Sequence, residues 1–183
     1  MPKQVDHQAR RAEIADAVCR LAARAGLDAV SLRHVAAEAG VSMGRVQHYF
    51  KTKDEMLLFA FRAIGERVER RMTAAIGDAR PGTREFLRAF VLEMLPLSPE
   101  SRAEAPALMA FLARSVVEPR LVEQLREGAE TLTAFIAEQV GGRTEAVTLL
   151  ALIDGLMLHL LTGQVSEDAA LAAVDAFLDR VFG

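Results

Sequence analysis

The sequence predicts an all-α protein, with a small helical domain at residues 1–53 and a helical bundle at residues 54–183. Three observations carry that expectation. Apolar residues recur at i, i+3, i+4 and i+7 through most of the chain, and no run alternates in the manner of a strand. Hydrophobic residues fill 51% of the positions but aromatic ones only 5%, which suits aliphatic helices better than a β-sandwich. Ser and Thr stand where the stripes begin, and Gly and Pro where they end.

The elements follow in order. Residues 1–7 are polar and aperiodic and are expected to be loose. Over residues 8–25, Ile14, Val18, Leu21 and Ala25 make one stripe, which Gly26 stops. Ser31 is placed to cap a helix over 32–39, with Leu32, Val35, Ala36 and Ala39 on one narrow face. Gly40 supplies the left-handed residue that ends it, and Val41 fills the corner. Ser42 caps a second short helix with Val46, Tyr49 and Phe50 inward and Met43, Arg45, Gln47 and His48 outward. Thr52-Lys53-Asp54-Glu55 reads as a capping box opening a long helix to about residue 78. Its inward stripe is Leu57, Phe61, Ile64, Val68, Met72 and Ile76. Thr83 caps a helix to about residue 95. The region 99–117 is helical, with Pro106 either kinking it or starting a new helix. Further helices are expected over 119–140, 144–162 and 166–182.

Residues 31–53 form a helix-turn-helix. Polar and basic groups on the exposed face of its second helix, with no acid among them, are what reading a major groove requires. A helical hairpin that only completes a core is the bland alternative. Charge favours the first reading. Through Lys53 there are nine Lys and Arg against five Asp and Glu, a net of +4, and the remainder carries thirteen against twenty, a net of −7. A basic head on an acidic body is expected when one end approaches nucleic acid.

Other chemistries find little support. Cys19 is the single cysteine, so no internal disulfide forms, and without a Cys-His cluster no metal or cofactor is expected. The start of the chain lacks an apolar signal core, and no eighteen consecutive residues are apolar, so a cytoplasmic setting with no membrane partner is expected.

The head resembles the DNA-binding domain of the TetR family of bacterial transcriptional regulators. The resemblance rests on Ser31-Leu32-Arg33, Val35-Ala36, Ala39-Gly40-Val41-Ser42, Gly44, Phe50, Lys53 and Leu57. The Asp154-Gly155-Leu156 stretch is similar to the BetI-like subgroup. The family pattern usually has tyrosine at Gln47, commonly a phosphate contact, and often histidine at Tyr49. Gln47 can instead address a base edge, since glutamine pairs bidentately with adenine. The candidate DNA-binding residues are Ser31, Arg33, Ser42, Met43, Gly44, Arg45, Gln47, His48, Tyr49, Thr52 and Lys53. The resemblance implies a homodimer, a double-stranded DNA operator of two half-sites, and a body that binds a small effector and then releases DNA. A repressor acting on a palindromic operator is the expected function.

The body supports parts of that independently. The helix over 144–162 is apolar on several sides, which asks for a second covering surface. Val147, Leu150 and Leu158 on that helix, with Leu171, Val174, Leu178 and Val181 on the last, are the candidate dimer interface. Both helices burying into their own body is the alternative. Phe61, Met94, Met109, Phe111, Met157 and His159 are candidate pocket residues, and core packing accounts for them equally well. Two other functions are weighed. A small helical enzyme would use Asp154, His159 and Arg114, but the first two lie about 140° apart round one helix and cannot easily act together. A helix-turn-helix protein-interaction module is the other, and salt-dependent DNA binding separates it from a regulator.

Overall fold

The computed structural model describes the backbone of residues 2–183, and their side chains except at residues 2–6, 119–122 and 124. Among the described residues there are nine α-helices, one 3-10 turn and no strand. The helices are α1 (Pro2–Ala25), α2 (Leu32–Glu38), α3 (Met43–Tyr49), α4 (Lys53–Ile76), α5 (Arg84–Met94), α6 (Pro99–Ser115), α7 (Pro119–Val140), α8 (Arg143–Leu161) and α9 (Glu167–Phe182).

Their starts are fixed locally. Ser31, Ser42, Thr52, Thr83 and Ser166 each accept a hydrogen bond from a backbone N–H in the first turn they cap. Three expectations need correction, and one connection gains a shape. The stretch 2–7 is not a loose tail but the opening of α1, because proline suits a first helical turn and nothing after it breaks the helix. The connection after Gly26 winds into a 3-10 turn at Leu27–Ala29. At Thr52 only half the capping box forms, since the Glu55 carboxylate accepts from the Lys51 N–H (2.8 Å) instead of from Thr52. Of the two readings for Pro106, the start of a new helix is the one overturned. Pro106 lies inside α6, whose start is held by a complete Ser98–Ser101 capping box and whose Ala105, Ala107 and Phe111 are buried on either side of it.

The buried residues form two apolar clusters. The first joins α1, α2, α3 and the early turns of α4, and it also takes Ala107 and Phe111 from α6. A head of about fifty residues buries too little alone, and α6 supplies the missing wall. The second cluster gathers α5, α7, α8 and α9 around Leu87, Leu95, Ile136, Leu149, Ile153 and Leu178. Helix α4 belongs to both, through Met56, Leu57, Ala60 and Ile64 at one end and Met72 at the other.

A charged joint lies between them. Arg67 on α4 pairs with Glu104 on α6, donates to Asp16 on α1 (2.8 Å), and lies 3.7 Å from the Cys19 thiol. Arg71, one turn on, donates to Glu104 (2.8 Å) and faces Glu93 of α5 at 3.4 Å. One carboxylate, Glu104, thus receives two guanidiniums from α4. Burial pushes the Cys19 thiol up, in keeping with a small apolar filler.

Candidate nucleic-acid interface

Helices α2 and α3 have seven residues each, too few to be stable without tertiary anchors. Gly40 ends α2 at φ +66°, and the Val41 N–H donates back to the Ala36 carbonyl (2.9 Å), closing the turn. Val46 and Phe50 are fully buried and fix the depth of α3. Arg11 of α1 lies over the rings of Phe50 (4.8 Å) and Phe59 (4.4 Å), which themselves pack 5.3 Å apart. That cation–π sandwich ties α1, the end of α3 and α4 together.

With those anchors in place, Met43, Gly44, Arg45, Gln47 and His48 are exposed along one face of α3. Arg33 is exposed on α2 and Thr52 at the start of α4, while Ser31 and Ser42 act as caps. No acid lies on α3. Glu38 on α2 accepts from Arg20 (2.9 Å) and Arg24 (3.0 Å) of α1, and those hydrogen bonds hold its carboxyl below the usual range. The one acid of α2 is thus paired with two guanidiniums.

Two residues have partners that the helical period did not foretell. Tyr49 is half-buried against the first cluster at the margin of α3, with the His7 ring against it at 4.7 Å. The Lys53 ammonium donates to the Leu27 carbonyl (3.1 Å), so it braces the turn leading into α2. Sequence reasoning missed two neighbours. Lys51 is exposed and donates to the Gln47 carbonyl (3.1 Å) at the end of α3, a relation its i+4 spacing could have signalled. His7 carried no local signal at all, because its partners lie more than forty positions away.

In the body, the pocket candidates are spread over α4, α5, α6 and α8. Phe61 and Phe111 meet edge to face at 5.5 Å in the first cluster, and Met94 packs against the second. Met109 is half-buried on α6 and Met157 is buried on α8. His159 sits at the end of α8, its Nδ1 2.9 Å from Gln164 Oε1. A cleft of about 830 Å³ opens elsewhere, between Pro96, Arg102, Leu160, Leu161 and the start of α9, and none of the six lines it.

The interface candidates divide. Val174 and Leu178 are fully buried inside their own subunit, because α5 packs on α9 and needs those side chains to complete the second cluster. They are therefore not available to a partner. Leu150, Leu171 and Val181 are half-buried. Val147 and Leu158 are exposed at 51% and 46%, and with Ala151 and Asp154 they form one outward stripe of α8. That helix is long and apolar enough to cross a membrane, with a mean hydropathy of 1.6, yet only 28% of it is buried within the subunit. Beside it, α9 exposes Ala169, Ala172 and Ala176. Asp154 has no hydrogen-bonding partner among the described residues, and desolvation by its apolar surroundings raises its carboxyl.

Comparison with known proteins gives two family matches. Residues 14–59 match the tetR family of bacterial regulatory proteins, and residues 81–183 match the C-terminal domain of BetI-type transcriptional repressors. The HTH-type transcriptional regulator PksA of Bacillus subtilis is 35% identical over 176 residues, covering 90% of this chain and 85% of the relative. BetI of Burkholderia mallei is 31% identical over 193 residues, covering 99% and 97%. Among solved structures, a transcriptional regulator of Rhodococcus sp. Rha1 superposes with a TM-score of 0.83 at 31% identity, over 93% of this chain and 95% of that one. The multidrug binding protein EbrR, solved with imidazole, gives 0.72 at 27% identity over 96% and 90%.

Proposed function

Because the chain belongs to the TetR family of bacterial transcriptional regulators, we propose that it is a repressor that binds a palindromic operator as a homodimer and is released by a small-molecule effector. The observation that carries the DNA-binding part is the α3 face. Met43, Arg45, Gln47 and His48 present thioether, basic and polar groups to solvent, while Val46 and Phe50 hold the helix proud of the core. Selection of bound sequences from random DNA by the purified protein tests it, and recovery of a two-fold symmetric site is the expected result. A protein-interaction module would enrich nothing.

On such an operator, Arg45→Ala and Gln47→Ala are expected to change base preference, at about 1–3 kcal/mol per lost base contact. Lys53→Ala should weaken binding to every sequence and lower the salt slope by about 0.9, the signature of one phosphate contact. Fluorescence anisotropy over a series of salt concentrations separates the two classes. An unchanged salt slope for Lys53→Ala would leave that lysine only its brace on Leu27.

Dimerisation is supported by the outward stripe of α8. An apolar helix face of this length is costly to leave in water, and the small side chains of α9 beside it permit close approach of a second copy. Covering Asp154 makes a testable demand. Its carboxyl is already raised in the single subunit, and covering it would raise it further. Association should therefore be strongest at low pH and weaken as pH rises from the single subunit's value through the higher one in the dimer. Asp154→Asn is expected to tighten the dimer and flatten that dependence in sedimentation equilibrium, and equal pH dependence in the variant would place Asp154 outside the interface.

Effector release is supported by the path of α4 from head to body and by the joint at Arg67 and Arg71. A ligand that shifts α6 through Glu104 pulls on α4 and, through Asp16, on α1. The two heads must span half-sites about 34–36 Å apart or a multiple of that, so a small shift is enough to spoil the fit. A coupling of about 1–3 kcal/mol corresponds to roughly 5- to 150-fold in operator affinity.

A further inference from the structure

We propose that α1 takes part in base reading through His7, a positioning residue that sets Tyr49 and His48 over the DNA. The proposal rests on the DNA-binding reading above. Its ground is a closed triangle of rings that joins two helices. The His7 and Tyr49 centroids are 4.7 Å apart with an interplanar angle of 61°. Those of His48 and Tyr49 are 5.2 Å apart at 83°, and those of His7 and His48 6.3 Å apart at 65°. All three are edge-to-face arrangements, the favoured geometry for such rings.

The location gives the triangle its consequence. His48 and Tyr49 occupy the last turn of α3, beyond Val46 and beside the anchor at Phe50. Tyr49 is half-buried against the first cluster, while His48 and His7 are exposed, so no core packing holds the two imidazoles. Exposed side chains hop between rotamers within nanoseconds. A third ring wedged against the pair removes that freedom and presents one fixed array of imidazole N–H groups, phenol and ring edges. Such an array can distinguish base edges and the thymine methyl, whereas freely rotating side chains discriminate poorly. Recognition at the C-terminal turn of α3 is therefore assigned jointly to two helices.

The test uses the full-length protein and the operator it selects from random DNA. Affinities for that operator and for each single base-pair variant are measured for the wild type, His7→Ala and His7→Phe, at several salt concentrations. His7→Ala is expected to lose about three- to tenfold discrimination at the base pair under the last turn of α3 in each half-site, with an unchanged salt slope. His7→Phe, which keeps a ring at that position, should restore most of it. Unchanged discrimination in His7→Ala overturns the proposal. So does uniform weakening on all sequences with a lower salt slope and no rescue by phenylalanine, which would make His7 a phosphate contact. Failure of the wild type to select any DNA removes the DNA-binding reading itself, before the variants are compared.

Discussion

Leu158→Arg is expected to yield a folded monomer, and Leu178→Arg no folded protein at all. The two leucines lie on neighbouring helices, and composition alone does not tell them apart. Leu178 is completely buried in the second cluster. Truncating such a residue costs about 2–5 kcal/mol, and an unpaired charge in its place adds several more. Together these approach the whole stability of a domain, about 5–15 kcal/mol. Leu158 is 46% exposed within the subunit, so an arginine there can reach water and should change monomer stability by no more than about 0.5 kcal/mol. Across a covered two-fold interface the same charge occurs twice and is desolvated, at several kcal/mol, or about a hundredfold or more in dimer affinity. Circular dichroism melting separates the two variants, and sedimentation equilibrium gives the oligomeric state. Operator binding by Leu158→Arg should fall in parallel, because each head then meets a half-site alone. A folded Leu158→Arg that remains dimeric would move the interface away from the α8 stripe.

Glu104→Gln is expected to weaken operator binding from a distance, without touching DNA or the dimer face. Its side chain is 14% exposed and receives Arg67 and Arg71 together. The amide keeps the shape and loses the charge, leaving Arg67 only Asp16 and Arg71 only Glu93 as counter-ions and removing the carboxylate that tied both to α6. Removing one partner of a buried pair costs about 3–5 kcal/mol, and the partial exposure here reduces the expected loss to about 1–3 kcal/mol. Part of that loss should appear in function. With α4 less firmly tied to α6, the heads sample a wider range of separations, and operator affinity should fall about 5- to 30-fold. The Ala107 and Phe111 contacts with the head core survive, so the loss should not be total. Thermal melting and operator titration on the same sample check it. A variant that melts earlier yet binds its operator as tightly as before would show that the joint supports the fold and does not set the heads.

The chain's local rules were written where they could be read. Helix starts at Ser31, Ser42, Thr52, Thr83 and Ser166 depend on one side chain and the amide three residues later. The break at Gly40 depends on a single backbone angle. The helix-turn-helix was legible for the same reason, since Val46 and Phe50 inward and Met43, Arg45, Gln47 and His48 outward follow from helical period alone. Position within the stripe was less secure at its edges. Tyr49 fell on the margin, where a neighbouring helix decides how much of it is covered.

What the sequence determined by itself was therefore the all-α class, the order and limits of most helices, the basic head and its presented face. It also carried the motifs that mark the family. Tertiary structure alone decided which apolar stripe is core and which is surface. Val174, Leu178, Val147 and Leu158 all read as apolar interface positions, yet the first two are filled by α5 and the last two stay open. It alone brought His7 to Tyr49, and Asp16, Arg67 and Glu104 to one joint across three helices. It also kept Pro106 within α6, where buried alanines and Phe111 hold the helix on both sides. The reason is common to all of these. Periodicity fixes the direction of a side chain round its own helix, but burial, ion pairing and ring contact depend on the neighbour that arrives there, and that neighbour lies tens of residues away in the chain.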